Sequence, residues 1–331
     1  GKTSIAKAVS ASDQVVSRST FTGLFSGWSD DKDDDPGLIP QIAGKTLIVK
    51  DADALLRQPN IERIMSELRD FFDKSSTVQY RNRKSYDYQN IRSTFILMGT
   101  NVLRRADHSY LGERFLTLEM NTTPQEEEQI NKFAFKAAYA QATGKEEEPD
   151  QQLMSSMKGW INHLMQLKVE DEPDSELENE IINMAWIAAK LRTQVDRNMR
   201  GDIASPPVPE LPPRLIKQMV STAMSLCVVF QIPKPNEMVY KILSKITRDI
   251  VNCKSPRYQI CDFLLENPNQ SREAIVECLG LSRSVVTREL DDLRVLNFIQ
   301  ESKVSTGNRP GAKMRAFALD KTIKDGLLCL R

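Results

Sequence analysis

Short β-rich apolar runs that end in a polar residue, separated by chain with helical patterning, limit most sharply what this sequence can fold into. Thr46-Leu47-Ile48-Val49-Lys50-Asp51, bounded by Gly44, and Ser93-Thr94-Phe95-Ile96-Leu97-Met98, closing at Gly99-Thr100-Asn101, read as buried strands. Phe115-Leu116-Thr117-Leu118 reads as a third, shorter one. Between the first two, Ile61, Ile64, Met65, Leu68, Phe71 and Phe72 recur at helical spacing over 59–74. Strands alternating with helices predict an α/β class with an open, mostly parallel sheet. The helical start at 4–9 would normally follow a strand. None precedes it, so the first strand of the sheet is missing and the chain reads as a piece of a longer protein.

Composition closes off several function classes. The 45 basic and 45 acidic residues leave no net charge, so the molecule is not a polycation that coats nucleic acid or an anionic membrane. Any nucleic-acid surface must be a local patch. No apolar run approaches the ~20 residues that span a bilayer, and the first residues lack the layout of a signal peptide. The five scattered cysteines contain no Cys-x-x-Cys pair, and the two histidines, His108 and His163, have no ligand-spaced partners. These features predict reduced thiols in a cytoplasmic protein without a disulfide frame or zinc site. Chemistry then falls to carboxylates, Lys, Arg and backbone donors.

Three regions are expected: a sheet-containing core over 1–122, a helical region over 123–252 and a distinct tail over 253–331. From Pro124 to about Val195 the pattern is helical, interrupted by acidic loops. A proline-dense connector over 204–213 leads to two helices at roughly 213–230 and 235–252. In the tail, one amphipathic helix covers 255–266. Ser271 caps a second, Leu279-Gly280 turns the chain, and Ser282 caps a third that carries Val285, Val286, Leu290 and Leu293 on one face. Two strand-like segments, 298–304 and 314–319, flank a Gly-rich tip. Three helices and a hairpin predict a winged helix-turn-helix.

Gly1-Lys2-Thr3 matches the last three positions of the phosphate loop Gly-x-x-x-x-Gly-Lys-Thr/Ser. There, backbone amides and a helix N-terminus hold phosphates, the lysine reaches the β/γ-phosphates and the hydroxyl ligates magnesium. Hydrolysis also needs a carboxylate at a strand end, a polar residue on the neighbouring strand to hold water, and arginines for the transition state. Asp51, Asn101, Arg114 in Gly112-Glu113-Arg114-Phe115, and Arg214 at a helix start occur in that order.

This ordered set resembles the AAA+ ATPases, and within them the minichromosome-maintenance helicases and their phage and mobile-element relatives, over roughly 1–252. The resemblance implies a P-loop NTPase core followed by an α-helical lid, with ATP and Mg2+ as cofactors. It makes Gly1, Lys2 and Thr3 Walker A, with Thr3 and Asp51 on the metal, Asp51 Walker B, Asn101 sensor 1, Arg114 an arginine finger acting in trans, and Arg214 sensor 2. It also implies a homo-oligomeric ring, hexameric in form. Walker B in these ATPases usually ends in Asp-Glu. Here no glutamate stands beside Asp51, and Asp53 or the more distant Glu67 would have to substitute, or hydrolysis is slow.

Two surfaces are candidates for DNA. Residues 77–88 read as a hairpin with a basic tip, Arg81, Arg83 and Lys84, flanked by tyrosines. In the helicases it resembles, a hairpin at this place points into the pore and grips the DNA backbone. In the tail, Arg283, Ser284, Thr287 and Arg288 lie opposite the apolar face of the third helix, and Arg309, Lys313 and Arg315 lie on or beside the wing. From Ser255 onward, twelve basic and ten acidic residues give the tail an excess of two positive charges. The expected function is an ATP-dependent DNA motor or replication initiator. The alternatives are an ATP-regulated DNA-binding regulator with little unwinding activity, a protein-remodelling ATPase and, for the tail, a protein-docking role.

Overall fold

A computed structural model describes residues 13–16, 43, 45–50, 52–57, 66, 70, 75–79, 85–89, 93–100, 115–119, 124–143, 151–164, 166–167, 175–305 and 313–330. Gly1, Lys2, Thr3, Asp51, Arg81, Arg83, Lys84, Asn101, Arg114 and Arg309 lie outside these. So does most of the helix expected over 59–74, of which Ser66 and Asp70 are helical. The chain packs as two compact units, one of residues 1–115 and 120–168, the other of 116–119 and 169–331.

The first unit contains strands β1 (Asp13–Val16) and β2 (Thr46–Val49), a hairpin of β3 (Ser75–Gln79) and β4 (Ser85–Gln89), and β5 (Thr94–Leu97). β1, β2 and β5 form a parallel sheet with β2 in the middle, in the register Val16↔Val49↔Leu97. The central position explains the composition of β2, because a strand covered on both faces reads as a continuous apolar run. Leu47, Ile48 and Val49 are buried. β1 lies in a stretch that reads as polar from the sequence. Its Asp13-Gln14-Val15-Val16 carries too little apolar pattern to announce itself, and pairing with β2 makes it a strand. The sheet continues past its strands: the Met98 amide donates to the Val49 carbonyl at 3.0 Å, and the Ala52 amide to Met98 at 2.8 Å. Ala52 opens a 3₁₀ helix over Ala52–Arg57. Helices α1 (Pro124–Ala142) and α2 (Gln151–Leu164) also belong to this unit.

The third expected strand is a correction. Residues 115–119 join no sheet; the segment 116–119 belongs to the second unit. The Glu119 amide donates to the buried carboxylate of Asp249 at 2.9 Å, and the Glu119 side chain pairs with Lys254 at 2.6 Å. A helical carboxylate thus takes the Glu119 amide in place of a ladder carbonyl.

The second unit runs through α3 (Ser175–Arg192), α4 (Pro213–Phe230), α5 (Glu237–Val251), α6 (Pro256–Glu266), α7 (Arg272–Leu279) and α8 (Arg283–Val295). The antiparallel strands β6 (Ile299–Ser305) and β7 (Lys313–Leu319) follow, then α9 (Lys321–Leu328). Ile181 and Met184 of α3, Met219 of α4, Leu243 of α5, Ile260 of α6, Val286 and Leu293 of α8, and Phe298 belong to one apolar cluster. Helices on both sides of residue 252 therefore share a core. The chain also closes back on itself, because α9 packs on α3.

That last contact is tight. A β-carbon on Gly326 of α9 would collide with Cγ1 of Ile187. Helix propensity favours alanine over glycine by about 1 kcal/mol, but overpacking costs about 1–3 kcal/mol. Gly326→Ala is therefore expected to lower the urea midpoint of unfolding. In an Ile187→Ala background the same substitution should raise it, since the obstacle is gone and propensity remains.

Candidate nucleic-acid interface

Local chemistry builds the presenting element of the tail. The Ser271 hydroxyl accepts from the Ala274 amide at 3.1 Å and starts α7; Gly280 ends it with φ +62°, a left-handed conformation glycine adopts freely. Ser282 then caps α8 by accepting from the Val285 amide at 3.4 Å. Behind α8, the Gln270 and Phe317 backbones exchange hydrogen bonds at 3.2 and 2.9 Å, so the chain before α7 adds an edge to the β6–β7 pair.

Helical periodicity divides α8 into two faces. Val286, Leu290 and Leu293 are buried, whereas Arg283, Ser284 and Arg288 are exposed and Thr287 partly so. The four outward residues named from the sequence thus share one surface, an open depression that Arg197, Gly201 and Asp291 also line. On the β6–β7 hairpin, Lys313 is the first residue of β7 and Arg315 lies two residues on, its guanidinium 3.2 Å from Glu301. Arg283 likewise pairs with Glu273 at 3.2 Å. The Arg272 hydrogen bond, with the Glu273 amide behind it, holds the Glu273 carboxyl below the usual carboxylate range, so it stays charged beside Arg283. Both pairs are solvent-exposed. Such pairs contribute only about 0.2–1 kcal/mol, so a phosphate can displace either acid at small cost.

The inner face carries what the sequence pattern hides. Glu289 and Asp292 lie among the apolar residues of α8, and both are buried. Arg257, near the start of α6, meets both: Nε reaches Glu289 at 3.1 Å and Nη2 reaches Asp292 at 3.0 Å. Its Nη1 donates to the carbonyls of Leu191 and Thr193 at 3.0 and 2.6 Å, which satisfies acceptors left over at the end of α3. Arg197 adds Nη2 to Asp292 at 2.5 Å and to the Arg288 carbonyl at 3.3 Å. Two cations and two carboxylates thus form a neutral, largely buried set that fixes α8 against α6 and the end of α3. The available signal was two acids, three residues apart, inside an apolar stripe.

In the first unit, the ends of β2 and β5 lie side by side. Both carboxylate oxygens of Asp53 accept from the Thr100 amide, at 3.0 and 2.8 Å. Asp53, named above as a stand-in for the absent glutamate, thereby anchors the backbone immediately before Asn101. Strands β3 and β4 pair as the expected hairpin, Gln79↔Ser85 being the last pair before the tip. In the second unit, Arg214 sits in the first turn of α4, half-exposed, with Glu210 3.7 Å away. Among the described residues no group of His, Cys, Asp or Glu is arranged to hold a metal, and no helix is long and apolar enough to cross a membrane.

A scan against protein-family models found no match, and a search of curated proteins found none.

Magnitudes separate the structural acids and cations from those open to a ligand. Removing one partner of a buried ion pair costs about 3–5 kcal/mol, while an exposed surface substitution stays within about 0.5 kcal/mol. Asp292→Ala should therefore lower the urea midpoint strongly, and Arg283→Ala should leave it almost unmoved. A loss below about 1 kcal/mol for Asp292→Ala would mean that the cluster does not hold α8 in place.

Proposed function

We propose that the chain is an ATP-dependent DNA motor or replication initiator, an AAA+ ATPase with a helical lid and a winged-helix tail. The observation that carries this reading is the parallel register Val49↔Leu97. It makes the strands that lead to Asp51 and Asn101 immediate neighbours with their C-terminal ends together, the edge at which open α/β sheets bind ligands. In this reading Gly1, Lys2 and Thr3 hold the phosphates of ATP, and the hydroxyl of Thr3 with the carboxylate of Asp51 supplies hard oxygen ligands suited to Mg2+. Asn101 orients the attacking water, Arg114 reaches the γ-phosphate of a neighbouring subunit in a hexameric ring, and Arg214 approaches from the lid.

DNA is the proposed partner. The tail would present Arg283, Ser284, Thr287 and Arg288 of α8 to the major groove, with Arg309, Lys313 and Arg315 of the wing on flanking backbone. The β3–β4 hairpin with Arg81, Arg83 and Lys84 at its tip would grip a strand inside the ring. A second reading is an ATP-regulated DNA-binding switch with little unwinding, because no glutamate stands beside Asp51 to polarise water.

The test is ATP turnover by the purified protein and its variants. Lys2→Ala should abolish ATP turnover, because the charge on the β/γ-phosphates is lost. Arg114→Ala should also be inactive alone, yet a mixture of the two should regain part of the turnover, since some interfaces then carry both groups. Mixtures that never exceed the sum of the separate activities would exclude a finger acting in trans. Turnover without strand displacement would select the switch.

A further inference from the structure

Beside the outward face of α8 stands a turn that the DNA reading has not used. Asn198 closes it: its amide donates to the Asp202 carbonyl at 2.9 Å, its carbonyl accepts from the Gly201 amide at 2.9 Å, and its Oδ1 accepts from the Arg200 and Asp202 amides at 2.9 and 3.0 Å. Gly201 takes φ +86°, which a side chain would resist. Below it, Arg197 and Ile203 form an antiparallel bridge. Arg197 ties the whole turn to α8, with Nη1 on the Gly201 carbonyl at 2.6 Å and Nη2 on Asp292 and the Arg288 carbonyl. The turn is a rigid projection whose base is bonded to the presenting helix, and Gly201 lines the same depression as Arg283 and Arg288.

The tip of this projection is Met199 and Arg200. Met199 is fully exposed, and among the described residues no acid pairs with the exposed Arg200. Arg283, Arg288 and Arg315, by contrast, each face an acid, at 3.2, 4.0 and 3.2 Å. A phosphate that approaches Arg200 displaces no partner, and a preorganised turn loses little entropy on binding.

We infer that the 198–201 turn is a further backbone contact for duplex DNA, with Arg200 taking a phosphate that flanks the groove entered by α8. This inference rests on the DNA reading of α8. It adds a contact from the segment between α3 and α4, outside the three helices and hairpin of the tail. Because Arg200 meets phosphate and not base edges, it contributes affinity without sequence preference.

The experiment is fluorescence anisotropy of the full chain with labelled duplexes of about 25 base pairs and unrelated sequence, over about 50–200 mM salt. Arg200→Ala should weaken binding by the same factor on each sequence and make the slope of log K against log salt shallower by about 0.9, the loss of one phosphate. Arg200→Lys should restore the slope, because a point charge suffices. If Arg283→Ala weakens binding but Arg200→Ala leaves both affinity and slope at the wild-type values, the α8 surface stands and this inference is overturned. A loss confined to one sequence also overturns it, since Arg200 would then read bases. If the wild-type chain binds no duplex, the reading of α8 falls and the inference with it.

Discussion

Arg257 is the side chain on which the arrangement of the C-terminal unit depends. Its guanidinium bonds two carboxylates of α8 and two carbonyls at the end of α3 from one position on α6. Only arginine offers several donors in a planar fork that can meet so many acceptors together. Desolvating these charges costs several kcal/mol per ion, which the set offsets only while every member is present. The cluster therefore behaves as an all-or-none clamp, and with it α8, the 196–204 segment and α3 form one piece. Holding the inner face of α8 in this way leaves Arg283 on its outer face with a weak, solvent-exposed partner, Glu273.

Much of the tail is legible in the sequence because its signals are local. Ser271, Gly280 and Ser282 each carry a specific backbone task, and the helices begin and end where these residues place them. The helices expected at 213–230 and 235–252 appear as Pro213–Phe230 and Glu237–Val251 for the same reason: a proline opens one and Asn236 caps the other. Features set by distant partners are not legible. Glu289 and Asp292 look like ordinary solvated charges until Arg257, more than thirty residues earlier, is brought against them. Residues 115–118 have the composition of a strand but join no sheet, and the chain just after them is held by Asp249. β1 has almost no pattern of its own and exists through β2, and α9 carries no signal strong enough to be expected.

The proposed nucleotide site divides along the same line. The apolar runs of β2 and β5 announce two buried strands, and their parallel pairing brings the ends that precede Asp51 and Asn101 together. The link between Asp53 and the Thr100 amide is invisible in the sequence, since it joins residues 47 positions apart. Asp53 holds the backbone next to Asn101, and the rate of hydrolysis is the point on which the motor and switch readings divide.

The central claim, that ATP turnover and duplex DNA act through one machine, is tested most directly by steady-state ATP hydrolysis with and without duplex DNA. The account predicts measurable turnover that rises when duplex is added and saturates with DNA concentration. Turnover that is indifferent to DNA at every concentration, or no turnover at all, would contradict it.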